Sequence, residues 1–592
     1  MRHPRHATPL LPPAVLLLVT MYCVYWCTSA TASQQCVFDE LMRSSGPLPT
    51  AAVREVPRKE QGATQAYTVA AKAADSDWKP IRVGVSIEDL KDPTRYCTTD
   101  KDKRPNYKGN IVTCNSKDVL TASKNSTLIN NILPVAIRLH TDRLLVQRIN
   151  NLWKVPEFSQ SSNCQHFTVP LSHKQLGVSD VDIMLYVAVG ADIVTWAIPC
   201  AVETNGRPIV GAIHFTGATL PFIWPAARMA AHEIAHALGF SVEEMTRHSM
   251  LSTVTSLRGS KFPVTLVTSP LVLNMTKTHY NCDTLQGMEL SQDSKGSAES
   301  HWSLRNAKDE LMAPYNGYTA GFYTALTLAV FEAFGYYKAV WGMQEFMVWG
   351  NYTGCNFLDR QCPADAHTIY PRMFCDTAEQ SPLCTSDRQA ISKCILDIGD
   401  LFSTPREVCW TVHPVQGNSA YINSFFTCFE EGSDIFPGTA TGSDSWCLDG
   451  EAIEASSKST GGWVSDVVAV CAHVLCGDAE VSVKYLGGSD FEPCPEGATI
   501  TPKSPYFRSG RIKCPKYEEV CAVAPDGSSL LPPVITDDDE SDSGDGGDGG
   551  NDDLDEDCEE YYDWPDDDSA VTRTVSLALP ALAFAVAVHV LL

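Results

Sequence analysis

Ile183-Met184-Leu185-Tyr186-Val187-Ala188-Val189 is an unbroken apolar run, and Ile209-Val210-Gly211-Ala212-Ile213 repeats the pattern shortly afterwards. Runs this short and this apolar predict buried strands. Ile81-Arg82-Val83-Gly84-Val85 alternates and predicts a further strand, whereas the apolar positions from Ile129 to Leu145 recur at helical spacing. Pro225 stands at a helix-starting position, strong helix formers follow from Ala226 to Ala231, and Gly239 can close the helix in a left-handed conformation. A polar insert with few apolar repeats then runs to about Ser300, and Thr324 to Phe334 predicts an apolar helix. Beyond Phe357 cysteines, short segments and turn residues predict a disulfide-stapled, strand-rich region. Strands and helices mix, so the body is α/β or α+β.

At 592 residues the chain exceeds one core and implies two to four domains plus processing segments. Its formal charge of −26 excludes a partner held through phosphates, so no nucleic acid is expected. That charge is local: Asp537 to Asp568 holds 18 acidic residues and no Lys or Arg, which leaves only −8 for the rest.

Both ends read as addresses. Arg2 and Arg5, the apolar run from Ala14 and the small residues Ala30-Thr31-Ala32 make 1–32 a secretory signal, with an uncleaved anchor as the competing reading. Residues 33–72 have no sustained apolar period and read as a removable pro-segment. After the acidic stalk at 537–568, small residues and an apolar tail at 569–592 form a GPI attachment signal, with Asp568 and Ser569 as candidate attachment positions. A single spanning helix competes, but would usually be followed by basic residues. Either way the expected location is the cell surface, tethered to the membrane. The 18 cysteines from Cys97 to Cys521 then suggest nine disulfides, and Asn125, Asn274 and Asn351 stand in glycosylation sequons.

The chemistry lies in His232-Glu233-Ile234-Ala235-His236, inside the helix after Pro225. Imidazoles four apart share a helical face and can grip one zinc ion, while Glu233 can accept a proton from an activated water. A working site needs a third ligand. In the short pattern HExxHxxGxxH the last position falls on Val242; Glu243 and Glu244 come soon after, His248 and His279 lie in the insert, and His301 is the strongest remaining candidate. Gly544 to Gly549 matches GxGxxG in letters, but its aspartates would repel a pyrophosphate.

HEIAHALGF at 232–240, YNCDTL at 280–285, GSAESH at 296–301 and RNAKDELMAP at 305–314 together resemble leishmanolysin, a metzincin-type surface metalloprotease family. WKPIRVGVSIED from Trp78 and GFYTALTLAVFEAFGYY extend the similarity, which covers about Trp78 to Cys521. The resemblance implies an α+β, metzincin-like catalytic fold with a large insertion, followed by a disulfide-rich, strand-rich C-terminal domain. It implies boundaries giving 73–241, 242–357 and 358–536, and pairs Cys97–Cys114, Cys164–Cys200 and Cys282–Cys355. It makes His232, His236 and His301 ligands of one zinc per chain, Glu233 the catalytic base, and Met312 the residue of the turn beneath the metal. Cys36 becomes the candidate latency ligand, its thiolate filling zinc's fourth position.

The expected function is a latent zinc endopeptidase of extended polypeptides, with Val210–Phe215 as the edge on which a peptide pairs. A surface adhesion or decoy protein that keeps the fold without turnover is the alternative.

Overall fold

The computed structural model describes residues 36–51 and 78–531, apart from 193, 221–222, 315–319, 363–367, 377–380, 397–408, 413–426, 430–435, 459–460 and 478–479. The segments expected to be the signal, the acidic stalk, the lipid-attachment signal with Asp568 and Ser569, and the part of the expected pro-segment beyond Ala51 lie outside the described residues.

A short helix, α1 (Phe38–Ser44), comes first, followed by β1 (Trp78–Pro80) and β2 (Val83–Ser86). The strand expected over Ile81–Val85 begins only at Val83, in β2; Ile81 and Arg82 form a break between β2 and β1, which lies in another sheet. Asp182 holds this break: its buried carboxylate takes the Arg82 backbone N–H at 2.9 Å and the Arg82 Nε–H at 3.1 Å. The helix expected from Ile129 to Leu145 is also shorter. A π-helical turn, Leu128–Ile132, leads into α2 (Leu133–Thr141), and Leu144 already opens β3 (Leu144–Gln147). Between them Arg143 turns inward to bond Leu139 O and Glu345.

Next come β4 (Ile183–Gly190), β5 (Trp196–Val202) and β6 (Pro208–Thr216). With β2 they form one sheet in the order β2-β4-β6-β5, parallel except for β5, which returns antiparallel along the edge. Val210–Phe215 lies within β6 and is therefore interior; the edge strand is β5, a correction to the sequence expectation. Every residue of β4 and β6 is buried, which explains their continuous apolar runs.

The long helix α3 (Ile223–Ala237) packs on this sheet. A Cβ at Gly211 would stand 2.8 Å from Leu185 and 3.0 Å from Ala237, so this close approach needs glycine. Pro225 sits in the first turn, two residues later than expected, where no helical partner is needed for its nitrogen. Gly239, at φ +109°, ends the helix as expected.

The polar insert is more ordered than its texture suggests. It contains α4 (Val242–Arg247), β7 (Leu251–Val254), β8 (Val264–Val267), α5 (Pro270–Tyr280), β9 (Met288–Gln292) and β10 (Ala298–Trp302). The strands form an antiparallel sheet ordered β10-β9-β8-β7. They are four or five residues long and β7 buries none of its side chains, too little for a period to register.

The apolar helix α6 (Ala325–Ala333) follows, its first turn capped by Thr324 Oγ1 accepting the Leu326 N–H at 3.1 Å. Then β11 (Lys338–Ala339) completes an antiparallel sheet ordered β1-β3-β11. Toward the C-terminus β12 (Ser445–Ser456), β13 (Trp463–Cys476), β14 (Val481–Lys484), β15 (Glu492–Pro493), β16 (Thr499–Ile500) and β17 (Phe507–Lys513) form a six-stranded antiparallel sheet ordered β15-β14-β13-β12-β17-β16. The fold is α+β and strand-rich at its C-terminal end.

Nine disulfides cross-link the described chain, including Cys97–Cys114, Cys164–Cys200 and Cys282–Cys355 as expected. One buried ionic cluster fastens the C-terminal segment to α3. Arg228 bonds Gly527 O at 2.6 Å and both oxygens of Glu345, at 2.5 and 3.0 Å, while Arg143 reaches Glu345 and Ser529 Oγ. Arg228 stands one helical turn before His232.

Candidate metal centre

His232 and His236 project from one face of α3, fully buried, with ring centroids 4.8 Å apart. Each is oriented from behind. His232 Nδ1 donates to Leu311 O at 2.6 Å and His236 Nδ1 donates to Phe240 O at 2.8 Å. Protons on Nδ1 leave both Nε2 atoms as lone-pair donors aimed into the same space.

β10 delivers the third imidazole. His301 stacks parallel to His232 at 5.2 Å between centroids and places its Nε2 3.2 Å from His236 Nε2. The structure thus brings His301, separated from Gly239 by 61 residues in sequence, to the helix histidines. The other insert histidines go elsewhere: His248 Nε2 meets Glu244 Oε1 at 3.0 Å, and His279 Nε2 donates to Trp349 O at 2.9 Å.

Cys36 completes the group, with ligand atoms of Cys36, His232, His236 and His301 all within 4.8 Å of one another. It is the free cysteine among the described residues. The donor set fits a zinc-like ion: nitrogens at tetrahedral positions 2.0–2.1 Å from one ion lie about 3.3 Å apart, close to the His236–His301 separation. Burial pushes the His232 imidazole down to about 4, and burial plus neighbouring imidazoles holds His236 and His301 well below the usual range. Neutral imidazoles are the form that binds a metal.

Glu233, between the two helix histidines, is equally buried. Its Oε2 accepts the Ala197 N–H of β5 at 2.9 Å and faces the Cys36 thiol at 3.8 Å. Burial raises its carboxyl to about 8, against the opposing effect of the Ala197 bond, and burial followed by the charge of Glu233 raises the Cys36 thiol. A cation among these donors would reverse that preference.

Met312 is fully buried in the turn that follows Leu311. Its carbonyl accepts the Trp302 N–H at 2.8 Å, so one turn supports both His232 and the neighbour of His301. Glu310, which the sequence did not single out, clamps this turn: Oε2 accepts the Met312 N–H at 2.5 Å and Oε1 the hydroxyls of Thr324 and Thr327 at 2.8 and 2.7 Å.

The leishmanolysin family profile matches residues 34–527, which include all of these groups. The chain belongs to the leishmanolysin family. It is 36% identical over 473 residues to a leishmanolysin homolog of Crithidia fasciculata, covering 75% of this chain and 71% of the relative. It is 33% identical over 470 residues to leishmanolysin of Leishmania major, covering 76% and 77%, and similarly to that of Leishmania donovani. Family membership implies a metalloprotease acting on peptide substrates.

The remaining sequence candidates are placed as follows. Asn125 is half-buried in a helical turn at Ala122–Thr127, Asn274 is exposed on α5, and Asn351 is half-buried in the turn after Trp349. Among the described residues no helix is long and apolar enough to cross a membrane.

Proposed function

We propose that this family member is a zinc-dependent endopeptidase made as a latent precursor, with His232, His236 and His301 as ligands of one ion and Glu233 as the base. One observation carries the reading: three buried imidazoles, two of them oriented by backbone carbonyls, converge beside a buried carboxylate at a sheet edge.

A divalent ion held there supplies Lewis acidity to the scissile carbonyl and to the attacking water. Glu233 takes the proton of that water and passes it to the leaving amine. Ala197 N–H holds the Glu233 carboxylate in place, and β5, an edge strand whose Val202 is paired by the pro-segment, offers that edge to an extended polypeptide once the segment is removed.

The pro-segment supports latency. Its Cys36 thiol stands in the ligand group, and Ala51 N donates to Val202 O on β5 while Pro49 O accepts from Val202 N. It runs parallel to β5 at Thr50–Val202, along the same edge. Display at the cell surface through a GPI anchor is the accompanying proposal, supported by the tail sequence at 569–592 and by nine disulfides that suit an oxidising compartment.

Mature protein freed of the pro-segment is expected to cleave an unstructured polypeptide, to stop on chelation, and to lose at least about 10³-fold in Glu233→Ala while remaining folded. A folded, metal-loaded wild type that turns over nothing returns the reading to adhesion.

A further inference from the structure

Helix α1 touches both β5 and β10. Asp39 makes polar contacts from α1 to β10. Asp39 Oδ2 accepts the Ser300 N–H at 2.9 Å and Asp39 Oδ1 accepts the Ser300 hydroxyl at 2.6 Å. Ser300 is completely buried beneath this contact, immediately before His301. β10 is the outer strand of its sheet, and the Ser300 N–H is directed to α1. The hydroxyl is oriented too, because its oxygen accepts the Val242 N–H at 3.0 Å and so its hydrogen is free to donate outward.

Removing the pro-segment strips Asp39 from two aligned donors beside the metal group. Water or substrate must then satisfy them, since a buried unpaired donor costs about 1–3 kcal/mol. We propose that Ser300 is a substrate-binding residue, whose N–H and Oγ–H receive one peptide carbonyl oxygen of an extended chain lying between β5 and β10. Asp39 holds that place in the precursor. The inference rests on the proteolytic reading above.

A neutral carbonyl suits the place better than an acidic side chain. Glu243, Asp293 and Glu299 all repel a negative charge at the position of Asp39. In the precursor Arg43, one helical turn after Asp39, lies 3.9 Å from Asp293 and offsets that repulsion.

The test uses mature wild type, Ser300→Ala and Ser300→Thr, with one peptide substrate and analogues in which single backbone carbonyls are replaced by thiocarbonyls, which accept hydrogen bonds weakly. Wild type should lose about 5–10-fold in kcat/KM at one substituted position. Ser300→Ala, which keeps the N–H, should show a several-fold loss on the parent peptide and a smaller further loss at that position than wild type shows, while Ser300→Thr should follow wild type. Additive losses at every position would overturn the proposal. Should Ser300→Ala fail to fold, the affinity of a synthetic 36–51 peptide for wild type decides: Asp39→Ala in that peptide should weaken binding about tenfold, and equal binding would overturn the assignment. Peptide affinity is read without turnover, so it separates failure of this inference from failure of the proteolytic reading.

Discussion

Phe38 lies flat against His236, with ring centroids 4.2 Å apart and planes 9° from parallel. The proposed pro-segment therefore holds a candidate ligand ring as well as placing a thiol in the group. Stacked rings contribute about 0.5–1.5 kcal/mol beyond their area, so Phe38→Ala should raise the resting activity of the intact precursor about tenfold. Cys36→Ala should raise it further, because the thiol is the group that competes with water. Turnover of a fluorogenic peptide by precursor shown unprocessed on a gel measures both, and resting activity unchanged in both variants contradicts this form of latency.

Glu310 makes stability depend on pH. Burial raises its carboxyl from 4.5 to about 7, so the folded state favours the protonated form. That contribution is fully present below the unfolded value near 4.5 and is lost as pH rises through about 7. It amounts to at most about 3 kcal/mol. Glu310→Gln, which resembles the protonated acid, should flatten the fall of the thermal midpoint between pH 5 and pH 8. A slope identical to wild type would show that Glu310 does not govern it.

Glu345 neutralises two buried guanidinium groups and accepts the Tyr323 N–H at 2.9 Å. Removing one partner of such a cluster leaves uncompensated charge, so Glu345→Ala should destabilise the fold by about 3–5 kcal/mol. Denaturant unfolding measures this. A loss below about 1 kcal/mol would mean that the cluster does not fasten residues 527–529 to α3.

Legibility followed physical locality. Pro225, the alanines and His232 to His236 announced α3 and two candidate ligands, because one helix turn fixes their relation. His301 was different: no period links it to Gly239, and only likeness to a family singled it out above His248 and His279. The edge strand was misread because chain order is not sheet order; β5 precedes β6 in sequence yet lies outside it. Asp39, Ser300 and Glu310 gave no local signal. The first two meet across 261 positions, and Glu310 acts through a turn visible only once the chain is folded.

Metal analysis of purified mature protein, with X-ray absorption at the zinc edge, tests the central claim most directly. One zinc per chain with three imidazole nitrogens in its shell, and loss of that zinc in a still-folded His301→Ala, is the predicted result. A folded wild type that binds no stoichiometric metal, or a His301→Ala variant that keeps its zinc shell unchanged, would contradict the account.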